Sequence, residues 1–240
     1  MNGFSYYDIF ETKGIEYLII ITFLVLLIPF WIVLNKRIVI GKGIKQTLSA
    51  LSASVLRIPQ GLFFAKNHTW MHLEKSGSAK VGLDDLLLHL TGEVKFNNHK
   101  SPGELIRKGE WLTEIEQDGK LLQILSPVSG KITNINPIIH ENPGMLNKDP
   151  YDKGWICEIK PSKWIVEADA CYLAEAATHW SAIELERFKD FLAVSMMIES
   201  HDPSLVIMQD GGELCDHSLS TFSNEIWKNF EKEFLNLNLW

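Results

Sequence analysis

Asp118-Gly119 constrains the fold of this chain more than any other feature. It separates an alternating run, Trp111 to Glu116, from a second largely apolar run, Leu121 to Leu125. Glycine reaches positive φ at no steric cost, so Asp-Gly between two such runs signals a tight β-hairpin. Alternation places Trp111, Thr113 and Ile115 on one face of the first strand. Pro127 and Gly130 then turn the chain into a further strand, Lys131 to Asn136. A short rigid finger leading into another strand calls for a β-rich body around it.

That body extends over Gly61 to Trp164. Asn67 to Glu74 and Ser78 to Gly82 read as strands. Asp84 caps a short helix over Asp85 to Leu90, because its carboxylate accepts a free backbone N–H, and Gly92 ends it. Glu93 to Phe96 is again extended, and Pro102-Gly103 and Lys108-Gly109 mark turns. Beyond Trp164 the texture is helical over Ala168 to Met197, with a possible break near Thr178. Leu185, Phe188 and Leu192 form one face there, with Glu184, Glu186, Arg187, Lys189 and Asp190 on the wet side. Leu205 to Gln209 reads as a strand and Asp210-Gly211-Gly212 as a turn. Ser220 or Ser223 caps a last helix reaching about Leu235, with Ile226, Trp227, Phe230 and Phe234 as its apolar face.

At the other end, Tyr17 to Leu34 is an almost unbroken apolar run without charge, broken only by Pro29. Its length suits a spanning helix of about 20 residues. The acidic flank Asp8, Glu11 and Glu16 and the lack of an A-x-A-like site argue against a cleaved leader. Lys36, Arg37, Lys42 and Lys45 follow the run, and cationic flanks stay in the cytoplasm. The expected layout is residues 1–16 extracytoplasmic, 17–36 transmembrane, 37–60 a linker, 61–164 the β-rich domain and 165–240 a helical extension. The linker includes a weak interfacial-helix pattern at Gln46 to Leu56. This layout implies a single-pass protein of the cell (inner) membrane with its C-terminal domain in the cytoplasm. Cys157, Cys171 and Cys215 lie far apart without a C-x-x-C, which fits reduced thiols rather than a disulfide framework or zinc site. A net charge of -7 argues against nucleic acid as partner.

The order and spacing of several short segments resemble the glycine cleavage system H protein, the lipoyl-carrier family. They are His68-Thr69-Trp70, Val81-Gly82-Leu83-Asp84-Asp85, Leu90-Thr91-Gly92, Lys108-Gly109-Glu110, Ser126-Pro127-Val128-Ser129-Gly130 and Asp149-Pro150-Tyr151-Asp152-Lys153-Gly154-Trp155. The resemblance covers roughly residues 66–164. It implies a lipoyl-like β-sandwich (barrel-sandwich hybrid); with the apolar run before it and the helical texture after it, the expected fold class is α+β, with an N-terminal transmembrane helix, that sandwich and a C-terminal helical extension. The resemblance also implies a lipoyl lysine at the hairpin tip and no catalytic turnover. Counted back from Pro127 without a gap, the modified position falls on Gly119. Lys120, one residue later, is the candidate for lipoate attachment, with an ordinary solvated strand lysine as its bland alternative. Biotin is a poorer fit, since the Met-Lys-Met setting is missing.

Other chemistry is thin. His68 and His72 share a strand face but stand apart, with no third metal ligand. His140-Glu141 belongs to a loop that, by the resemblance, packs near the carrier hairpin. Asp210-Gly211-Gly212-Glu213 lacks the lysine of a phosphate loop. Trp155, Trp164, Trp180, Trp227 and Trp240 read as core, with Trp240 the best docking candidate. Two functions follow from the resemblance: a membrane-tethered carrier with lipoate on Lys120 serving membrane-bound enzymes, or an unlipoylated adaptor in a membrane-associated redox or one-carbon complex.

Overall fold

The computed structural model describes residues 9–35, 50–199 and 214–236. The basic flank at Lys36 to Lys45, the expected strand at Leu205 to Gln209, the turn at Asp210 to Gly212 and Trp240 lie outside the described residues. The chain divides into two compact units, Met1–Thr47 and Leu48–Trp240.

The first unit contributes α1 (Ile9–Asn35), with Pro29 inside it. Every side chain described on it, from Tyr17 to Phe30, is exposed. Thr22 returns its hydroxyl to the Leu18 carbonyl at 2.7 Å, so that group is satisfied within the helix itself. The expected transmembrane helix over residues 17–36 is not shown: α1 covers that run as far as Asn35, but among the described residues no helix is long and apolar enough to cross a membrane.

In the second unit the strands are β1 (Ala50–Leu51), β2 (Phe63–Phe64), β3 (Thr69–Leu73), β4 (Ala79–Leu83), β5 (Lys95–Asn98), β6 (Leu105–Ile106), β7 (Trp111–Gln117), β8 (Lys120–Leu125), β9 (Gly130–Ile135), β10 (Trp155–Pro161), β11 (Tyr172–Leu173) and β12 (Leu214–Cys215). The helices are α2 (Asp85–Thr91), α3 (Ile138–Glu141), α4 (Met145–Lys148), α5 (Trp164–Ala168), α6 (Glu175–Glu199) and α7 (Asn224–Phe230), the last running into a π-turn over Glu231–Leu235. A seven-stranded sheet has the order β11-β2-β3-β4-β10-β9-β6, and a three-stranded sheet the order β5-β7-β8. Their inner faces meet in one core: Met71, Val81, Ile132 and Ile159 from the larger sheet join Phe96, Leu112, Ile115, Leu122 and Ile124 from the smaller. This is the lipoyl-type β-sandwich, and helices pack on it.

Local chemistry explains the elements. Asp84 accepts from Leu87 N at 2.8 Å and starts α2, while Gly92, at φ 79°, ends it. Gly82 lies under the indole of Trp70: a Cβ there would sit 2.5 Å from Trp70 Cε2, so only glycine lets the ring lie flat on β4. Between Trp111 and Thr113 the register of β7 against β8 shifts. This bulge corrects the expected face. Leu112, Thr113 and Ile115 are buried, while Trp111 turns outward to stack on His99 at 3.8 Å.

The helical part also departs from expectation. The break falls at Asp169 to Ala174, not near Thr178, because β11 adds to β2 as an edge strand. Thr178 sits inside α6 and back-bonds to the Ala174 carbonyl. Leu185, Phe188 and Leu192 are buried as expected, but Glu184 is only 5% exposed and faces the sandwich. The described part of the expected interfacial helix is not helical: it opens with β1, which pairs with β12, and continues as a turn over Ala53 to Val55. Ser223 stands at the N-cap of α7, without a side-chain cap bond. Phe188, Phe230 and Phe234 pack edge to face at 5.6 and 5.9 Å and join the sandwich core. The last described helix therefore closes the same core that the sheets open.

Candidate functional site

The finger is β7 and β8, paired from Trp111↔Leu125 to Gln117↔Lys120. Asp118 (φ 49°) and Gly119 (φ 78°) both take positive φ, the geometry of a type I′ turn. The two turn residues are exposed, and a Cβ on Gly119 would meet nothing within 4 Å. The tip is thus open, but it holds Asp118 and Gly119, and Lys120 is the first residue of the return strand.

Lys120 is neither a free arm nor a solvated strand lysine. Its Nζ donates to the Ser220 carbonyl at 2.6 Å and lies 5.4 Å from the Trp227 ring centre. The side chain is half-buried. The segment from Leu214 to Asn236 does this covering. Trp227 is 1% exposed and donates from Nε1 to Leu219 O at 2.8 Å, which fixes the turn that carries Ser220. Glu231 Oε2 accepts from Gln123 N on β8 at 3.2 Å. At its near end the segment is latched to α2: His217 N donates to His89 O at 2.7 Å, and His89 Nδ1 meets Asp216 Oδ1 at 2.5 Å. The Asp85 carboxylate raises His89, burial lowers it, and Asp216 adds to the rise; the net direction is upward. His89 thus lies between two carboxylates, each of which favours its charged form.

Beneath the segment lies a buried ionic cluster. His68 is fully buried at positive φ (59°), with Nδ1 at 2.8 Å from Asp84 Oδ2 and Nε2 at 3.7 Å from Glu184 Oε1. The second distance is an ion-pair contact, too long for a hydrogen bond. Burial disfavours the charge, but Asp84 and then Glu184 outweigh it and hold His68 at about 9. Glu184 is lowered against its own burial, chiefly by His68 and then Arg187. The cluster joins β3, α2 and α6. Tyr151 strengthens the same corner, its hydroxyl accepting from Asp85 N at 2.9 Å.

The remaining sequence candidates scatter. His72 is exposed, and among the described residues no group of three metal-binding side chains occurs. His140 is exposed and accepts from Asn98 Nδ2 at 2.5 Å, on the edge strand β5 of the hairpin's own sheet. Asp85 binds Arg57 through both carboxylate oxygens rather than serving only α2's first turn. Cys157 is buried and its thiol pushed up by burial; Cys171 is half-buried and pushed up to about 11, again by burial first. Trp180 stacks on Tyr172 at 5.1 Å, and Trp164 meets Phe63 edge-on. Ser220, Trp227 and Glu231 are the site residues that sequence reasoning missed as such. The apolar stripe of α7 was visible, but nothing in it named the hairpin as its target.

A two-sheet sandwich that projects a stiff two-stranded finger is the scaffold of a swinging-arm carrier. The family model and the curated relatives agree: the glycine cleavage H-protein family model matches residues 62–180. A probable glycine cleavage system H protein of Thermococcus gammatolerans is 31% identical over 120 residues, which is 50% of this chain and 89% of that protein. The glycine cleavage system H protein of Bacteroides fragilis is 33% identical over 107 residues, 45% of this chain and 84% of that one. A solved H protein from Mycobacterium marinum aligns at 24% identity over 44% of this chain and 87% of its own, with a TM-score of 0.41. The chain belongs to the glycine cleavage H-protein family, and residues 62–180 are its lipoyl-type carrier domain. The segment that covers Lys120 lies outside the matched residues.

Proposed function

We propose that this protein is a membrane-tethered carrier of the H-protein type, in which Lys120 is the attachment point for lipoate and the finger is offered to partner enzymes. The observation that carries the reading is the intact finger of β7 and β8, with its type I′ tip open to solvent and one lysine at the first position of the return strand. The role is non-catalytic: the domain holds and moves a group while partner proteins do the chemistry. Carriage requires that the segment over Lys120 lift, since an amine bonded to Ser220 O and seated by Trp227 is closed to an attaching enzyme.

Tethering rests on the sequence, on the uncharged apolar run Tyr17 to Leu34, which falls within α1. The 27 residues of α1 extend for about 40 Å at 1.5 Å per residue, and its described side chains are exposed and, apart from Thr22, apolar. Reading Tyr17 to Leu34 as the span, with the domain on the cytoplasmic side, follows from the Lys and Arg that come after it.

A second reading has its own observation. Gly119 stands where the family's lysine falls, and the amine at Lys120 is already engaged within the protein. On that reading the domain is an unlipoylated adaptor for a membrane-associated complex. Intact-mass measurement of the protein from its native host separates the two. The carrier reading expects a lipoyl adduct that disappears in Lys120→Arg. Unmodified protein in a host whose lipoylation machinery is active refutes the carrier and leaves the adaptor.

A further inference from the structure

On the open side of the larger sheet, the edge strand β6, the end of β10 and the single turn of α5 form a shallow groove. Arg107, Lys108, Lys131, Lys160 and Lys163 line it, in a protein whose overall charge is -7. None of these five joins an ion pair among the described residues. Glu167 is the acidic side chain of the lining, and it is turned inward, accepting from Ser129 N and Ser129 Oγ at 2.7 and 2.6 Å. Leu105 and Val166 also line the groove and are each 76% exposed; Ile165, next to Val166, is 84% exposed. Three branched aliphatic side chains are thus held out in water beside these cations.

We propose that this face docks on an anionic lipid surface. The cations engage lipid phosphates, and Leu105, Ile165 and Val166 enter the boundary between headgroups and acyl chains. The composition selects a bilayer over an acidic protein. Four of the five cations are lysine, which is depleted in protein interfaces, and the exposed apolar groups include none of the tryptophan or tyrosine that anchor such interfaces. Clustered lysines around exposed aliphatic side chains are the pattern that reads anionic leaflets. The inference deepens the tether reading above. Flotation of the full chain on phosphatidylcholine vesicles reports the tether by itself, so its failure is distinguishable from failure of the docking face.

The test is hydrogen–deuterium exchange of the full chain on vesicles of phosphatidylcholine alone or mixed with phosphatidylserine. Peptides spanning 104–109 and 160–168 should exchange at least about fivefold more slowly on the anionic vesicles, since each engaged cation contributes about that factor. The protection should vanish in the triple variant Lys131→Glu, Lys160→Glu, Lys163→Glu and weaken in Ile165→Ser, Val166→Ser. These side chains are exposed, so the fold does not depend on them. Equal exchange on the two kinds of vesicle overturns the proposal, and so does protection that persists in the triple variant.

Discussion

Trp227→Ala tests whether the C-terminal segment is what silences the Lys120 amine. The indole is 1% exposed, gives its Nε1 hydrogen bond to Leu219 O and lies beneath Lys120 Nζ. Truncating a buried tryptophan costs about 3–5 kcal/mol. The packing it removes is that of the segment against its seat on β8, so the cost falls first on the closed state of the segment. At about 1.4 kcal/mol per decade, 3 kcal/mol raises the open fraction by roughly a hundredfold. A lysine that reacts only when uncovered then reacts faster by that factor, up to the rate of an exposed lysine. The assay is timed acetylation under native conditions, with Lys120 read against the exposed Lys148 by peptide mass spectrometry. The expected result is a steep rise in the Lys120 to Lys148 ratio, with circular dichroism of the sandwich unchanged. An unchanged ratio in a variant whose melting temperature has fallen would refute the reasoning, because the segment would then have loosened without freeing the amine.

Three further outcomes follow from the same neighbourhood. His68 binds its proton more tightly folded (about 9) than at its ordinary value near 6.5. Its stabilising contribution, up to roughly 3 kcal/mol, is complete below about pH 6.5 and is lost as pH rises through 9; urea midpoints should fall over that window, and a flat profile contradicts the buried ion cluster. Gly82→Ala should destabilise by about 1–3 kcal/mol or more, since its Cβ would stand 2.5 Å from the Trp70 ring; a thermal melt equal to the parent's disproves the close approach. Gly119→Lys should cost about 1 kcal/mol for a side chain at φ 78° yet place an amine in open space; co-expressed lipoylation enzymes should modify position 119 faster than Lys120, and modification confined to Lys120 would show that the tip is not the readable position.

Much of the carrier domain was legible because its signals are local. Asp118-Gly119 announced its turn, Asp84 its cap, and Ser126-Pro127-Val128-Ser129-Gly130 its place between β8 and β9. Each is decided by φ or by one hydrogen bond within a few residues. The misreadings lie where tertiary contact overrides pattern. Glu184 has the spacing of a wet helix face but is drawn inward by a buried imidazole more than a hundred residues away in sequence. The bulge at Trp111 moved one residue between faces, which alternation by itself does not register. The partner of Lys120 was out of reach for the same reason: the 2.6 Å bond to Ser220 spans 100 residues, and no periodicity encodes it.

The pairing of Ala50 and Leu51 with Cys215 and Leu214 gives the domain one seam at which its first residues and its C-terminal segment are zipped together. Any pull on the chain ahead of Ala50 loads those few ladder bonds before it reaches the sandwich. The segment they restrain is the one whose next turns, through the Asp216 latch and Ser220, hold down the amine. Tension along the chain ahead of Ala50 and exposure of Lys120 are thereby mechanically in series.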